Sequence, residues 1–529
     1  MAIAHGWAKV TGEPMVVAIH ANVGLMHASM ALYNAWVDRV PMLVIGANGP
    51  LDASKRRPWI DWIHSVADLP ALVRSFIKWD DQPVSVTASL QSLARAWDVT
   101  RAYPQAPTLV VLDVSMQEER LTDPVLLPAI TTGPPRDTSV ASPDSLERAV
   151  ALLRAARNPV ILLGRTTRNE EDWARRIRLA EALSAPVITD LRVGAAFPTG
   201  HPLQVRGPGK FLGHAGQEAV RNSDCILALD WIDLAGTLGQ AKGRSIDAVV
   251  ISATLDHALH NGSTRDHFAR ADVDILLPTT ADLAVEQLLS ALGEDTESPT
   301  RSWQPAVKAT PDLKRKQGDG SSIKLPELAA AVAEVLKDES SCLVRLPLGW
   351  SGEDLDVQHP LDYLGSDGGG GIGSGPGMLV GAALALRDTD RLPIAILGDG
   401  DFMMGVQALW TAANQSVPML AIVANNRSYF NDEVHQERVA RQRERDVSRK
   451  WIGQRIDGPA PDIAGMARAL GLVGIGPITR IEELSDALVS AVAQLKQGHA
   501  VVIDIVVEAG YAPAITEGLV KSPSGVSPK

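Results

Sequence analysis

Short runs of Val, Ile and Leu recur along the chain, each followed by a longer stretch with helical spacing, and this alternation narrows the available folds more than any other feature. The runs occupy residues 15–19, 41–45, 108–112, 159–163, 186–189, 224–229, 248–252, 342–346, 393–397, 419–424 and 500–507. Successive residues of a strand point to opposite faces, so a run that is apolar at consecutive positions has no face to offer to water. Such strands belong in parallel sheets covered by helices on both sides. The expected fold class is α/β, built from doubly wound parallel sheets.

Two stretches interrupt the alternation. Residues 118–145 contain Pro124, Pro128, Gly133, Pro134, Pro135 and Pro143, and residues 293–322 are polar and charged, with Pro299, Pro311, Gly318 and Gly320. Both read as linkers. They divide the 529 residues into segments 1–120, 146–290 and 323–510, with a Ser/Pro/Gly-rich tail at 511–529. Each segment is long enough to bury its own core. Residues 2–10 look like helix interior, with no capping or turn chemistry before them, so the first segment is expected to be incomplete on its N-terminal side.

Composition removes several classes of function. With 50 Lys and Arg against 62 Asp and Glu, the formal charge of −12 gives no general attraction to nucleic acid or to anionic lipid. Cys225 and Cys342 lie far apart and form no CxxC pair, so they support neither a disulfide framework nor a cysteine zinc site and read as buried small hydrophobes. No apolar run approaches the ~18 residues of a membrane span. The first residues lack the basic and apolar regions of a signal peptide, and the expected location is cytoplasmic.

In the third segment the run 393–397 leads into Gly398-Asp399-Gly400-Asp401, and the run 419–424 into Asn425-Asn426. Open parallel sheets bind ligands at the carboxyl ends of their strands, where both clusters fall. Glycines at 398 and 400 let backbone N–H groups approach a phosphate. Asp399 and Asn426 are hard oxygen donors of the kind Mg²⁺ takes together with water and phosphate oxygens. A Mg²⁺-bridged diphosphate site follows from this chemistry, although Gly-Asp-Gly alone is a common strand-end turn. Upstream, Gly365-Ser366-Asp367-Gly368-Gly369-Gly370-Gly371-Ile372-Gly373-Ser374-Gly375-Pro376-Gly377 runs straight into the helical stretch 378–386. A flexible linker does not normally enter an apolar helix inside a domain.

Gly-Asp-Gly and Asn-Asn at this spacing, each at a strand end, resemble the cofactor signature of thiamine diphosphate enzymes. Ala408-Leu409-Trp410-Thr411-Ala412-Ala413, and Ile19-His20-Ala21-Asn22-Val23-Gly24 with Asn34-Ala35-Trp36, look most like the acetolactate synthase and benzoylformate decarboxylase branch. The resemblance covers essentially the whole chain. It implies a pyrimidine-binding domain at 1–120, a central domain at 146–290 and a diphosphate-binding domain at 323–510. It implies thiamine diphosphate and Mg²⁺ as cofactors, with Gly398, Asp399, Gly400 and Asp401 at the cofactor. Asp399, Asn426 and the main-chain carbonyl of Ser428 would then be the metal ligands. The Gly-rich segment would pass under the cofactor at Gly373, with Ile372 as an apolar wedge between its two rings. Glycine is denser here than is usual in the family, and Gly377 replaces a common proline, which leaves the register open by a residue or two.

In this family a glutamate of the pyrimidine domain exchanges a proton with the aminopyrimidine and so activates the cofactor. It lies a few residues before the motif matched here by Ala4-His5-Gly6-Trp7-Ala8, and so before Met1. Glu13, in the Thr11-Gly12-Glu13-Pro14 turn, is a poor substitute. Either the chain as given starts at an internal methionine, which is the favoured expectation, or it is a natural variant without this activator.

Benzoylformate decarboxylases carry a histidine in a similar His-x-x-x-Gly context that acts on the substrate as an acid/base. Carried over, His20 takes that role and Asn22 contacts the substrate carboxylate. The alternative for His20 is a hydrogen-bonded wall residue. His64, after Trp59-Ile60-Asp61-Trp62, is a weaker candidate, and Lys55-Arg56-Arg57 reads as a solvated charge cluster. The central segment has no Gly-x-Gly-x-x-Gly after a strand, and Gly164-Arg165 is too little to claim a nucleotide, so a structural role is expected. Residues 427–457 read as a charged, solvated stretch beside the site entrance, in which Asp432 or Glu433 is a further acid/base candidate.

Taken together, the resemblance implies thiamine diphosphate- and Mg²⁺-dependent decarboxylation or carboligation of a small 2-oxo acid by a homodimer or homotetramer. The alternatives are a C–C hydrolase or CoA-thioester lyase of the same fold, and a cofactor-binding protein without turnover.

Overall fold

The apolar runs become the strands of three separate parallel sheets in a computed structural model that describes residues 1–130, 139–242, 247–256, 271–293 and 322–510. The tail at 511–529, most of the second linker (294–321) and Gly133, Pro134 and Pro135 of the first lie outside the described residues. In the first sheet β1 (Met15–Ala18), β2 (Met42–Asn48), β3 (Trp79–Asp81) and β4 (Pro107–Asp113) stand in the order β1-β2-β4-β3. In the second, β5 (Pro159–Leu163), β6 (Val187–Thr189), β7 (Cys225–Leu229), β8 (Val249–Ala253) and β9 (Ile275–Leu277) run in the order β6-β5-β7-β8-β9. In the third, β10 (Ser341–Arg345), β11 (Leu392–Gly398), β12 (Met419–Asn425), β13 (Val473–Ile478) and β14 (Ala500–Val506) run in the order β10-β11-β12-β14-β13.

The inner strands are buried on both faces, as runs without polar alternation require. Ile394 and Ile396 of β11 feed one core, shared with Leu488 and Leu495 of the helix Ile481–Lys496. Ala395 and Leu397, the residues between, feed a second core with Met378 and Leu379 of the helix Gly375–Ala385. The middle sheet divides in the same way, Ile161 and Leu163 to one side and Val160 and Leu162 to the other. Each run read as apolar lies on one of these strands. Three strands lie outside the runs read from the sequence, β3, β13 and the short Ile275-Leu276-Leu277 of β9, and all three stand at sheet edges. There one flank needs no partner, so Trp-Asp-Asp and a strand containing Gly476 and Pro477 are tolerated.

Without β10, the third sheet has the strand order of the first. β11-β12-β14-β13 matches β1-β2-β4-β3. The helix preceding each set also matches: α1 (Ala2–Thr11) before β1 and Gly375–Ala385 before β11. These two helices pack on each other so closely that a Cβ on Gly6 would lie 2.0 Å from the Met378 carbonyl oxygen, and one on Gly381 would lie 1.9 Å from that of Ile3. The contact is reciprocal, each glycine meeting the carbonyl three residues before the other. Lys9 reinforces it by donating to Asp38 at 2.5 Å and to the Ser366 carbonyl at 2.6 Å, and Asp38 also binds His5 Nε2 at 2.8 Å. Asp38 immediately follows α2 (Ala21–Val37).

The first and middle sheets are joined by charge. Arg39 donates to Asp256 at 2.6 Å, Arg165 donates to the other oxygen of Asp256 at 2.7 Å, and Arg165 also binds Asp230 at 2.9 Å. Burial alone would raise the Asp256 carboxyl, yet the Arg165 and Arg39 guanidiniums hold it well below the usual carboxylate range. Removing one member of a largely buried pair leaves the other charge uncompensated. Asp256→Asn is expected to lower the unfolding free energy by about 3 kcal/mol in urea titrations; a loss below about 1 kcal/mol would show that solvent compensates the arginines.

Candidate cofactor and substrate site

Register brings the two polar clusters of the third sheet together. Gly398 pairs with Ala424 across β11 and β12, so Asp399 and Asn425-Asn426 leave the sheet side by side at its carboxyl end. Asp399 opens the short helix Asp399–Gly405, is only 3 % exposed, and has one carboxylate oxygen, Oδ2, without a hydrogen-bond partner. Burial pushes its pKa up to about 6, against the downward pull of the backbone N–H groups of Asp399, Gly400 and Ser428. A buried, unpartnered carboxylate oxygen is an arrangement that a cation completes. Among the described residues no three His, Cys, Asp or Glu side chains gather as a metal site. One carboxylate with amide and carbonyl oxygens nearby suits Mg²⁺, which keeps much of its shell as water and phosphate.

The neighbouring residues divide the work. Asn426 Oδ1 accepts the Ser428 N–H at 3.0 Å and so orders the turn after β12. The Ser428 hydroxyl donates to Glu433 at 2.5 Å, and Arg455 Nε holds the same Glu433 oxygen at 2.9 Å. Glu433 is therefore a buried, doubly engaged anchor for Ser428, whereas Asp432 is exposed. The two glycines differ as well. A Cβ on Gly398 would meet nothing, leaving open space at the strand end, while one on Gly400 would lie 2.4 Å from the Tyr429 ring. Gly400 thus makes room for Tyr429.

Asp401 faces the Gly-rich segment. Its Oδ1 accepts the N–H groups of Gly373 at 2.6 Å and Gly375 at 3.3 Å, and its Oδ2 accepts Arg345 Nε at 2.7 Å. Arg345, the last residue of β10, also binds Asp367 at 2.8 Å. Ile372 is half-exposed between these fixed neighbours. Only the position of Arg345, a lone cation at the carboxyl end of an apolar run, hints at this network in the sequence.

At the carboxyl end of the first sheet, His20 follows β1 as the exposed N-cap of α2, and the chain turns at Ala21, whose φ of 45° is left-handed. Such backbone in a residue with a Cβ costs about 1 kcal/mol and concentrates at functional sites. Asn22 is buried, donates to the Ile63 carbonyl at 3.2 Å and leaves its Oδ1 unpartnered. His64 comes with Ile63. Its ring lies edge-on to that of His20, with centroids 5.0 Å apart, and its Nδ1 donates to the Ile60 carbonyl at 2.8 Å, which in the neutral ring leaves Nε2 as the unprotonated nitrogen. The structure thus brings His64 to His20 and Asn22, which the sequence already places together, and Trp59 and Trp62 stand exposed on the same short turn.

Other candidates are engaged elsewhere. Glu13 pairs with Arg101 at 3.1 Å, and Arg57 with Asp61 at 2.8 Å. Gly164 and Arg165 close the gap between the carboxyl ends of β5 and β7, where a Cβ on Gly164 would lie 2.1 Å from the Asp230 carbonyl oxygen. Both cysteines are free and buried. Among the described residues no helix is long and apolar enough to cross a membrane.

Comparison with known proteins matches this arrangement at three places. Residues 1–69 match the thiamine pyrophosphate enzyme N-terminal TPP binding domain, residues 146–267 the central domain and residues 348–505 the C-terminal TPP binding domain. Among similar proteins, the benzoylformate decarboxylase of Pseudomonas aeruginosa is 24 % identical over 514 residues, covering 93 % of this chain and 87 % of that one. The acetolactate synthase isozyme 3 large subunit of Escherichia coli is 22 % identical over 515 residues, covering 96 % and 86 %. The crystal structure of benzoylformate decarboxylase from Polynucleobacter necessarius shares the fold with a TM-score of 0.75 at 19 % identity, over 97 % of this chain and 90 % of that one. Three domain matches in the family's order and full-length similarity to both kinds of enzyme agree with the three sheets and the strand-end cluster: the chain belongs to the thiamine diphosphate-dependent enzymes, in the branch that holds acetolactate synthases and benzoylformate decarboxylases.

Proposed function

We propose that the chain is a Mg²⁺- and thiamine diphosphate-dependent enzyme that decarboxylates a 2-oxo acid and then protonates the product or joins it to a second carbonyl compound. The observation that carries this reading is the unpartnered, buried Oδ2 of Asp399 beside Asn426 at the carboxyl ends of β11 and β12. Asp399, the Asn426 side chain and the Ser428 carbonyl would hold Mg²⁺. The open space at Gly398 would admit a diphosphate to the backbone. When bound, thiamine diphosphate supplies a nucleophilic carbon and a sink for the electrons released with CO₂. Ile372 would pack against it, His20 would move a proton at the reacting carbon or oxygen of the substrate, and the free Oδ1 and amide of Asn22 would orient the substrate. The three domain roles assigned to 1–120, 146–290 and 323–510 belong to the same reading.

A second copy of the chain fits the exposed face of α2. Val23, Met26, Met30 and Tyr33 form an apolar stripe at helical spacing, each at least 40 % exposed. The stripe continues toward Ile372 through the contacts of Met30 with Gly371 and of Met404 with Gly373. A cytoplasmic homodimer, or a homotetramer built as a dimer of dimers, is the assembly we infer.

The test is CO₂ release by the purified chain with thiamine diphosphate and Mg²⁺, offered benzoylformate and pyruvate in turn. Turnover of one substrate that is lost on chelation is expected of a form that carries the activating glutamate, and cofactor binding that is lost on chelation is expected with or without it. His20→Ala is expected to lower kcat by about 10² to 10⁴. Saturable cofactor binding with no CO₂ from any 2-oxo acid would favour the hydrolase, thioester lyase or non-catalytic alternatives.

A further inference from the structure

Ile372 makes none of the hydrogen bonds that hold its surroundings, yet both its neighbours are pinned, from different domains. On one side Gly371 is gripped by both its backbone polar groups: its carbonyl accepts Asn34 Nδ2 at 3.1 Å and its N–H donates to Asn34 Oδ1 at 3.2 Å. Asn34 is a buried residue of α2, so this grip comes from the first domain. On the other side the Gly373 N–H donates to Asp401 at 2.6 Å, from the third domain. Asp401 cannot swing away, because Arg345 holds its second oxygen and is itself held by Asp367. Asp367 in turn accepts the Ser374 hydroxyl and the Gly369 N–H and faces Asn34 Nδ2 at 3.4 Å, which closes the network on itself.

This packing accounts for the dense glycines. A Cβ at Gly371 would lie 2.8 Å from Met30, and one at Gly373, where φ is +101°, would lie 2.9 Å from Met404. The segment is clamped between α2 and the helix after β11, with space for backbone and for one side chain, Ile372.

We propose that Asn34 and Asp401, the latter locked by Arg345, are positioning residues that set Ile372 from both sides, so that the first and third domains jointly fix the surface offered to the cofactor. The proposal rests on the reading above, in which Ile372 packs against thiamine diphosphate. It also gives Asp401 a different task from the cofactor ligand expected from the sequence. Both its oxygens are already committed within the protein.

The test uses the full chain. Amide deuterium exchange is followed at Gly371, Gly373 and Gly375 in the cofactor-free protein, beside cofactor affinity from thermal shift with thiamine diphosphate and Mg²⁺, and kcat. Asp401→Ala is expected to speed exchange at Gly373 and Gly375 by about 10-fold or more, to leave cofactor affinity within a few-fold, and to lower kcat by about 100-fold, the usual consequence of a misplacement near 1 Å. Asp401→Asn, which keeps an oxygen for the two amides, should restore most of the protection. Asn34→Ala should speed exchange at Gly371 with the same kcat-selective loss, and it keeps the proposal testable should Asp401→Ala fail to fold. A fall in cofactor affinity of 10-fold or more with unchanged exchange would make Asp401 a ligand and overturn the proposal, as would variants in which neither exchange nor kcat moves. If the wild-type chain binds no cofactor, the functional reading fails. The exchange data then still decide whether the anchors exist.

Discussion

Asp399→Asn abolishes Mg²⁺-dependent binding of thiamine diphosphate while leaving the cofactor-free protein at least as stable as the wild type; this paired result is expected from the environment of that one side chain. Its Oδ2 is buried and unpartnered, so it contributes nothing to the fold that an amide would forfeit. Burial pushes the carboxyl up to about 6. A group whose folded pKa lies above its unfolded value destabilises the fold as pH rises through that interval, so the penalty is absent in acid and full above about pH 6. At neutral pH the amide relieves up to roughly 3 kcal/mol of it. The cation loses its only carboxylate, and a fall in affinity of more than about 100-fold is expected, beyond the effect typical of outer-shell partners. Titration of Mg²⁺ and cofactor into both proteins, with urea unfolding in a chelator at pH 7.5, reads both halves. A variant that binds as tightly as wild type, or that unfolds far more easily, would contradict the assignment.

Gly381→Ala is expected to be among the most damaging single-methyl additions available to this chain. The added Cβ would sit 1.9 Å from the backbone oxygen of Ile3, and a carbonyl inside a helix cannot move aside as a side-chain tip can. The helices α1 and Gly375–Ala385 must separate, which opens the contact that joins the first domain to the third. A loss of about 3 kcal/mol of unfolding free energy is expected. Gly6→Ala, on the reciprocal side, should cost a similar amount. The double variant should lose clearly less than the sum, because the first substitution has already parted the helices. Additive losses, or a loss below about 1 kcal/mol, would mean that the crossing is not shared.

Much of this fold and site is legible in the sequence. Runs such as Pro159–Leu163 are apolar at every position, and only a strand covered on both faces suits them. The edge strands β1, β6 and β10 carry apolar runs, but β3 was not legible, because Trp79, Asp80 and Asp81 pair with one neighbour only and carry no apolar signature. At the site, Gly398-Asp399-Gly400 and Asn426 stand out because strand ends are where ligands bind. The tasks of individual residues depend on contacts between distant segments. That Gly400 makes room for Tyr429, that Asp401 binds Gly373, and that His64 meets His20 are facts of tertiary packing with no local pattern. The glycine density around Ile372 was visible, but its cause, the side chains of Met30 and Met404 pressing on the segment, was not.

Calorimetric titration of thiamine diphosphate into the purified chain measures whether Asp399 and its neighbours form a Mg²⁺-dependent diphosphate site. With Mg²⁺ present, saturable binding of one cofactor per chain is expected, and with a chelator in its place none. Absence of binding in Mg²⁺, or equal binding in chelator, would show that the Asp399 cluster is not such a site.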